Sequence, residues 1–201
     1  MKAIPGIDTS ERMTLENDRT LLRPIKETDL KALLYIAESQ PDLLLYSPSA
    51  FGTKKALKDY IIRANEQREL GNRMPFIIYD KKAQVWAGTT SFGNISNANH
   101  RVEIGWTWIG EKLQRTGLNR NNKFLMLQYA FEVAEYQRVE FKTDVRNEQS
   151  RTAMAKIGAK EDGILRSHTL LSDGHRRDTI YYSILKDEWP NIKETVFEGY
   201  S

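Results

Sequence analysis

From Arg101 to Trp108 the chain alternates apolar and polar residues. It then crosses a short glycine-containing loop and enters a long amphipathic helix of about Asn119 to Tyr136. Val102, Ile104, Trp106 and Trp108 are expected on one face of the strand, with Glu103, Gly105 and Thr107 on the other. The helix carries Phe124, Leu127, Phe131 and Ala134 at core spacing, so it needs a sheet to cover its apolar stripe. The rest of the chain supplies one. Met13 to Ile25 contains two short strand-like pieces around the turn Asn17-Asp18. Phe76 to Tyr79 and Val85 to Phe92 read as strands, and Val139 to Thr143 as another. Gly163 to Leu171 and Arg177 to Leu185 form a hairpin through Ser172-Asp173-Gly174. Helices are expected after Thr28-Asp29, with Leu30, Leu33, Leu34 and Ala37 on one face, and from about Thr53 to Leu70, closed by Gly71. Asn147 caps a further short helix that stops at Gly158. A mixed sheet with helices on it places the chain among the α/β and α+β proteins.

The 201 residues suffice for one compact core, and 4 Trp, 9 Tyr and 7 Phe argue against disorder. Lys+Arg 30 against Asp+Glu 27 leaves a net charge of +3, too little to suggest a nucleic-acid or membrane binder. With 0 Cys there is no disulfide framework, no thiol nucleophile and no Cys-ligated metal centre. His100, His168 and His175 are too scattered for a metal site, so none is expected. Met1 to Gly6 lacks the apolar stretch of a secretory signal, and Lys31 interrupts the Leu-rich segment from Leu30 to Leu34. A cytoplasmic protein is expected.

The segment with chemical content is Glu111-Lys112-Leu113-Gln114-Arg115-Thr116-Gly117-Leu118-Asn119-Arg120. A loop entering a helix aims free N–H groups and the positive end of the helix dipole outward, which attracts phosphate. Gly117 permits close approach to the backbone, and Arg115, Arg120 and Lys123 are expected to add full charges nearby. Neither G-x-x-x-x-G-K-[ST] nor G-x-G-x-x-G occurs, so the loop is not of the P-loop or dinucleotide-binding type.

Gln114-Arg115-Thr116-Gly117-Leu118-Asn119 resembles the Q/R-x-x-G-x-G/A acetyl-CoA signature of the GNAT superfamily of N-acetyltransferases. Trp108-Ile109-Gly110, Asn147-Glu148-Gln149-Ser150-Arg151, the opening Leu21-Leu22-Arg23-Pro24 and the closing strand Arg177 to Ser183 are similar to the branch of ribosomal-protein N-terminal acetyltransferases. The resemblance spans roughly Thr14 to Trp189. It implies a single domain over residues 10–190 with terminal extensions 1–9 and 191–201. The implied fold has a mixed, mostly antiparallel sheet of about seven strands flanked by about four helices. Two departures stand out. Asn119 replaces the final Gly or Ala of the signature, and Met154 stands where many members place a tyrosine acid, which a thioether cannot replace.

The resemblance implies direct attack of an amine on acetyl-CoA. Backbone N–H groups of Arg115, Gly117, Asn119 and Arg120 would hold the diphosphate, within a donor site running from Gln114 through Thr116 and Leu118 to Arg120. Trp108 and Ile109 would pair with the pantetheine amides, and Asn147 would bond to the same arm. Glu103 is the candidate proton acceptor and Ser150 the candidate donor to the departing sulfur. Tyr46, Phe51 and His168 are candidates for the acceptor pocket, with Tyr60 divided between pocket and core. An α-amine with pKa about 8 is about a tenth neutral at pH 7, against about 0.04% for a lysine near 10.4, which favours a protein N-terminus as acceptor. The alternatives are a small amine (polyamine, amino acid or antibiotic) or a non-catalytic acyl-CoA-binding module. A nucleic-acid reading through Arg115, Arg120, Lys123 and Arg176 is opposed by the near-balanced charge. Either a monomer or a homodimer fits.

Overall fold

The computed structural model describes residues 6–200. The strands are β1 (Leu15–Glu16), β2 (Thr20–Pro24), β3 (Arg73–Asp80), β4 (Val85–Ser96), β5 (Arg101–Ile109), β6 (Arg138–Asp144), β7 (Lys160–Leu170) and β8 (Arg176–Leu185). The helices are α1 (Leu30–Ser39), α2 (Lys54–Glu69), α3 (Leu118–Gln128), α4 (Glu148–Ala155) and α5 (Trp189–Thr195). All eight strands form one sheet in the order β1-β2-β3-β4-β5-β6-β8-β7. Every neighbouring pair is antiparallel except β5 with β6.

The helix ends follow local chemistry. Thr53 caps α2 by accepting a hydrogen bond from Ala56 N at 3.1 Å, and Gly71 takes the left-handed conformation beyond its end. Asn147 caps α4 through Ser150 N at 3.0 Å. The sequence predicts one helix to Tyr136, but α3 ends at Gln128 and widens into a π-turn over Tyr129–Val133.

The sheet separates two apolar layers. On one side Val102, Ile104 and Ile109 pack with Phe124, Met126, Leu127 and Phe141 in the main core. On the other, Leu57, Tyr60 and Ile61 of α2 and Leu33, Ile36 and Ala37 of α1 cover Ile77 and Trp108. The flanks pack as well. Ile7 is buried in the main core, and α5 sets Trp189 5.8 Å from the Phe131 ring and carries Phe197 to 5.6 Å from Phe124. The fifth helix, beyond the expected four or so, is α5, seven residues long, while the two-residue β1 is the first of the two strand-like pieces expected between Met13 and Ile25.

The expected alternation of β5 holds only to Ile104. Thr89 faces Trp108 and Ser91 faces Gly105, so Thr90 alone opposes both Trp106 and Thr107. This bulge inserts one residue and reverses every side chain after it. Trp106 and Trp108 lie with α1 and α2, on the face that carries Glu103, while Thr107 and Ile109 lie with α3. Trp106 adopts φ 51, a conformation rare for a bulky residue. Its surroundings account for it. The Trp106 carbonyl accepts from Thr89 Oγ1 at 3.2 Å, the Arg73 guanidinium lies 4.6 Å from its ring, and Gly93 leaves the space the ring occupies.

Candidate active site

β5 and β6 pair only from Arg101 opposite Arg138 to Glu103 opposite Glu140. Beyond that register β5 continues to Ile109 and β6 to Asp144 without pairing. The bulge at Trp106 adds twist just where the strands part. The outcome is a wedge in the middle of the sheet, with an unpaired strand edge against which an extended amide chain can bond.

At the wide end of the wedge lies the loop before α3. Gln114 Nε2 donates to Ile109 O at 2.9 Å, and Gln149 Nε2 of α4 donates to Gln114 Oε1 at 2.9 Å, so Gln114 ties the loop to both sides of the opening. Arg115 and Gly117 both have positive φ, 60° and 87°. Gly117 is the N-cap of α3 and supplies no side chain; the Thr116 hydroxyl donates instead to Leu113 O at 2.7 Å. The N–H groups of Leu118, Asn119 and Arg120 are therefore left without helical acceptors. A Cβ added to Gly117 would meet nothing within 4 Å, so the space beside this glycine is open. Asn119 adds a buried Oδ1 without a hydrogen-bond partner among the described residues.

Two of the three expected cations are not at this loop. The Arg120 side chain bonds to Val196 O and lies over the rings of Phe197 and Tyr200, held by the C-terminal segment. Lys123 is buried, 8% exposed, with Nζ 3.2 Å from Thr107 Oγ1 and 5.4 Å from the Phe141 ring. Burial pulls its pKa down to about 7, against an upward pull from Glu103. Arg115 remains as an exposed cation.

Glu103 is 3% exposed and lies on the α1–α2 face of the sheet. Its Oε2 accepts from Asn94 Nδ2 at 2.6 Å and Lys142 Nζ at 2.9 Å. Its Oε1 is the oxygen nearest Gly105, 2.7 Å from where a Cβ would sit. With one oxygen doubly bonded and the other without a donor among the described residues, the carboxylate is fixed in place yet keeps a free lone pair. A Gly105→Ala substitution drives a methyl group into that oxygen. Thiol-release assays on this variant should show kcat down by about 10-fold or more with the donor KM nearly unchanged.

The remaining candidates are distributed along the same face and at its rim. Phe51 packs edge-on to Trp108 at 5.0 Å. The Tyr46 carbonyl accepts from Arg177 Nη1 at 2.8 Å, and its ring lies 5.6 Å from the Arg146 guanidinium at the end of β6. Arg177, which sequence places at the start of the closing strand, joins the α1–α2 connection to β8. Tyr60 is core: its hydroxyl is 3.0 Å from Thr89 Oγ1 and accepts from Arg73. His168 is exposed on β7, with Nδ1 3.1 Å from Thr179 Oγ1. Asn147 has its oxygen engaged as the α4 cap, leaving its amide N–H groups for a ligand. Ser150, half-buried in the first turn of α4, has a hydroxyl without a partner among the described residues. Met154 is buried in the main core. The described residues contain no cluster of three or more metal-ligating side chains, and no helix among them is long and apolar enough to cross a membrane.

Comparison with known proteins agrees with this geometry. Residues 19–160 match the family model described as an acetyltransferase (GNAT) domain. A Bacillus subtilis protein provisionally named as the ribosomal N-acetyltransferase YdaF is 36% identical over 106 residues, 53% of this chain and 57% of that protein's length. A crystal structure of a GCN5-related N-acetyltransferase from Brucella melitensis superposes with a TM-score of 0.88 at 25% identity, covering 100% of this chain and 90% of the other. The ribosomal-protein-S5-alanine acetyltransferase from Vibrio fischeri shares the fold, with a TM-score of 0.69 at 21% identity over 88% of this chain and 98% of the other. The wedge between β5 and β6, opening beside an uncapped helix start, is thus built on the fold of an acyltransferase, and the chain belongs to the GNAT acetyltransferase family.

Proposed function

We propose that the protein transfers acetyl from acetyl-CoA to the α-amine of a protein N-terminus, of the ribosomal-protein type. The observation that carries this reading is the parting of β5 from β6 directly beside the uncapped start of α3. The residues present suit the donor: unsatisfied N–H groups for a diphosphate and a free strand edge for the amides of pantetheine. On this reading Arg115, Gly117, Asn119 and Arg120 hold the diphosphate through their backbones, with Gln114, Thr116 and Leu118 shaping the loop. Trp108 and Ile109 pair with the pantetheine arm, and Asn147 donates to it. Residues 10–190 form the catalytic domain.

The acceptor enters on the α1–α2 face, past Tyr46, Phe51 and His168. Glu103 accepts the proton that an ammonium must lose before it can attack, and the Ser150 hydroxyl donates a hydrogen bond to the departing sulfur. An α-amine suits this arrangement, because one carboxylate has little work to do on a group already partly neutral at pH 7. Support for the acceptor class comes from the names of relatives: the B. subtilis protein is named for ribosomal N-acetylation, and the V. fischeri structure for S5 alanine.

The test pairs calorimetry of acetyl-CoA binding with thiol-release kinetics against Ala- and Ser-initiated peptides, polyamines and free lysine. Peptides should give the highest kcat/KM, whereas preference for an ε-amine or a polyamine would reassign the acceptor. In the same assay Ser150→Ala should lower kcat by about 10-fold with little change in donor KM, since its hydrogen bond matters mainly in the transition state.

A further inference from the structure

The buried amine of Lys123 has no role in the account above. Among the described residues, its surroundings offer a cation only one hydroxyl, Thr107 Oγ1, and the Phe141 ring at 5.4 Å. It sits on the α3 side of the sheet, between Thr107 of β5 and Phe141 of β6, which belong to the two strands that part to form the wedge. An ammonium has three N–H donors, and Thr107 Oγ1 takes one. No carboxylate among the described residues lies within ion-pair distance of it. Glu103, the nearest in effect, is on the opposite face with Oε2 already held by Asn94 and Lys142. A buried cation without an anion is costly, and cores normally use Met or Leu at such a position.

We infer that Lys123 meets the sulfur of the donor thioester and is the acid that receives the departing thiolate. This rests on the wedge being the donor channel. The two faces then divide the work: Glu103 serves the incoming nitrogen from the α1–α2 side, and Lys123 gives a proton to the leaving sulfur from the α3 side. The Ser150 hydroxyl contributes a hydrogen bond to the same sulfur and no proton. The acceptor nitrogen's lone pair forms the N–C bond. The C–S bond breaks with its electrons on sulfur, and one Nζ proton passes to that sulfur. Before attack the ammonium loses one proton by way of Glu103 to water, and after it the nitrogen sheds a second by the same route. Lys123 takes one back from water, so that, counted from the ammonium, the products are amide, free thiol and one released proton. The neighbouring residues accord with this. Met154 cannot donate, and the chain has 0 Cys. Burial brings the Lys123 ammonium to about 7, close enough to a thiol of about 8.5 for proton transfer in either direction.

The test titrates coenzyme A itself on the protein, following the ultraviolet absorbance of its thiolate. Bound to wild type, the thiol should ionise at a proton concentration at least about 10-fold higher than in free solution, where its pKa is about 8.5. Bound to Lys123→Met, or to Lys123→Gln should the first variant fold poorly, it should return to within about 3-fold of the free value. Thiol release should fall by about 10- to 100-fold in kcat, with donor KM within about 2-fold. If coenzyme A binds and its thiol titrates alike in wild type and variant, Lys123 is not at the sulfur and the inference fails while the donor site stands. If calorimetry finds no binding of coenzyme A to wild type, the donor site fails and the inference with it.

Discussion

At about pH 6 the Lys123→Met protein should unfold roughly 10 °C above wild type, and by about pH 10 most of that advantage should be gone. The Lys123 amine falls from 10.5 to about 7 on folding because burial disfavours its charge. Between those values the unfolded chain holds a proton that the folded chain has released. Unfolding therefore takes up a proton, and this group makes wild type more stable as pH rises through that window. Below it both states are charged, and the folded state bears the full cost, on the order of 5 kcal/mol at about 1.4 kcal/mol per pH unit. Methionine has a similar unbranched length and no charge, and it fits beside Met126 and Phe141 in the same apolar layer. Paired thermal melts across the pH range isolate the effect, because every other titrating group is common to both proteins. A difference in midpoint that stays flat with pH would mean that Lys123 is solvated in the folded state. A stabilised but slower variant is the pattern expected where stability has been given up for chemistry.

Lys123 also marks where sequence reasoning stopped short. In the text it follows Arg120, Asn121 and Asn122 and looks like part of a solvated helix start. The missed signal is its spacing: Lys123, Leu127, Ala130 and Ala134 fall at helical intervals along the buried stripe of α3 and its π-turn. A cation at core spacing was readable as an anomaly. The bulge in β5 was not, because nothing in Arg101 to Trp108 itself demands it. It depends on Thr89, Arg73 and the bare Gly93, residues from other strands. Local patterns settled what local physics determines. Asn147 caps its helix as expected, α2 begins directly after Thr53, and the Asp173-Gly174 turn joins β7 to β8. The loop order resembling the acetyl-CoA signature was legible for the same reason. Arg120 was misplaced because its partner, the segment from Val196 to Tyr200, lies far away in the chain.

Replacing Glu103 with glutamine should lower kcat for thiol release from acetyl-CoA with an α-amine peptide by about 100- to 1,000-fold near neutral pH, with donor KM within about 2-fold. The carboxylate is held through Oε2 by Asn94 and Lys142, and a glutamine carbonyl oxygen can occupy that position. Its amide nitrogen then lies over Gly105 in place of Oε1, bringing donors to the point where a proton must be accepted. The shape survives and the base is lost. The exchange also removes the counter-charge of Lys142, so some stability goes with it, by about 1–3 kcal/mol. Loss of fold and loss of base are separated by pH. A peptide α-amine with pKa about 8 becomes mostly neutral above that value without help, so the deficit of Glu103→Gln should narrow toward about 10-fold as pH is raised to about 9. A destabilised but chemically intact enzyme would keep the same deficit at every pH, and that result would move Glu103 from proton acceptor to a structural anchor for Lys142.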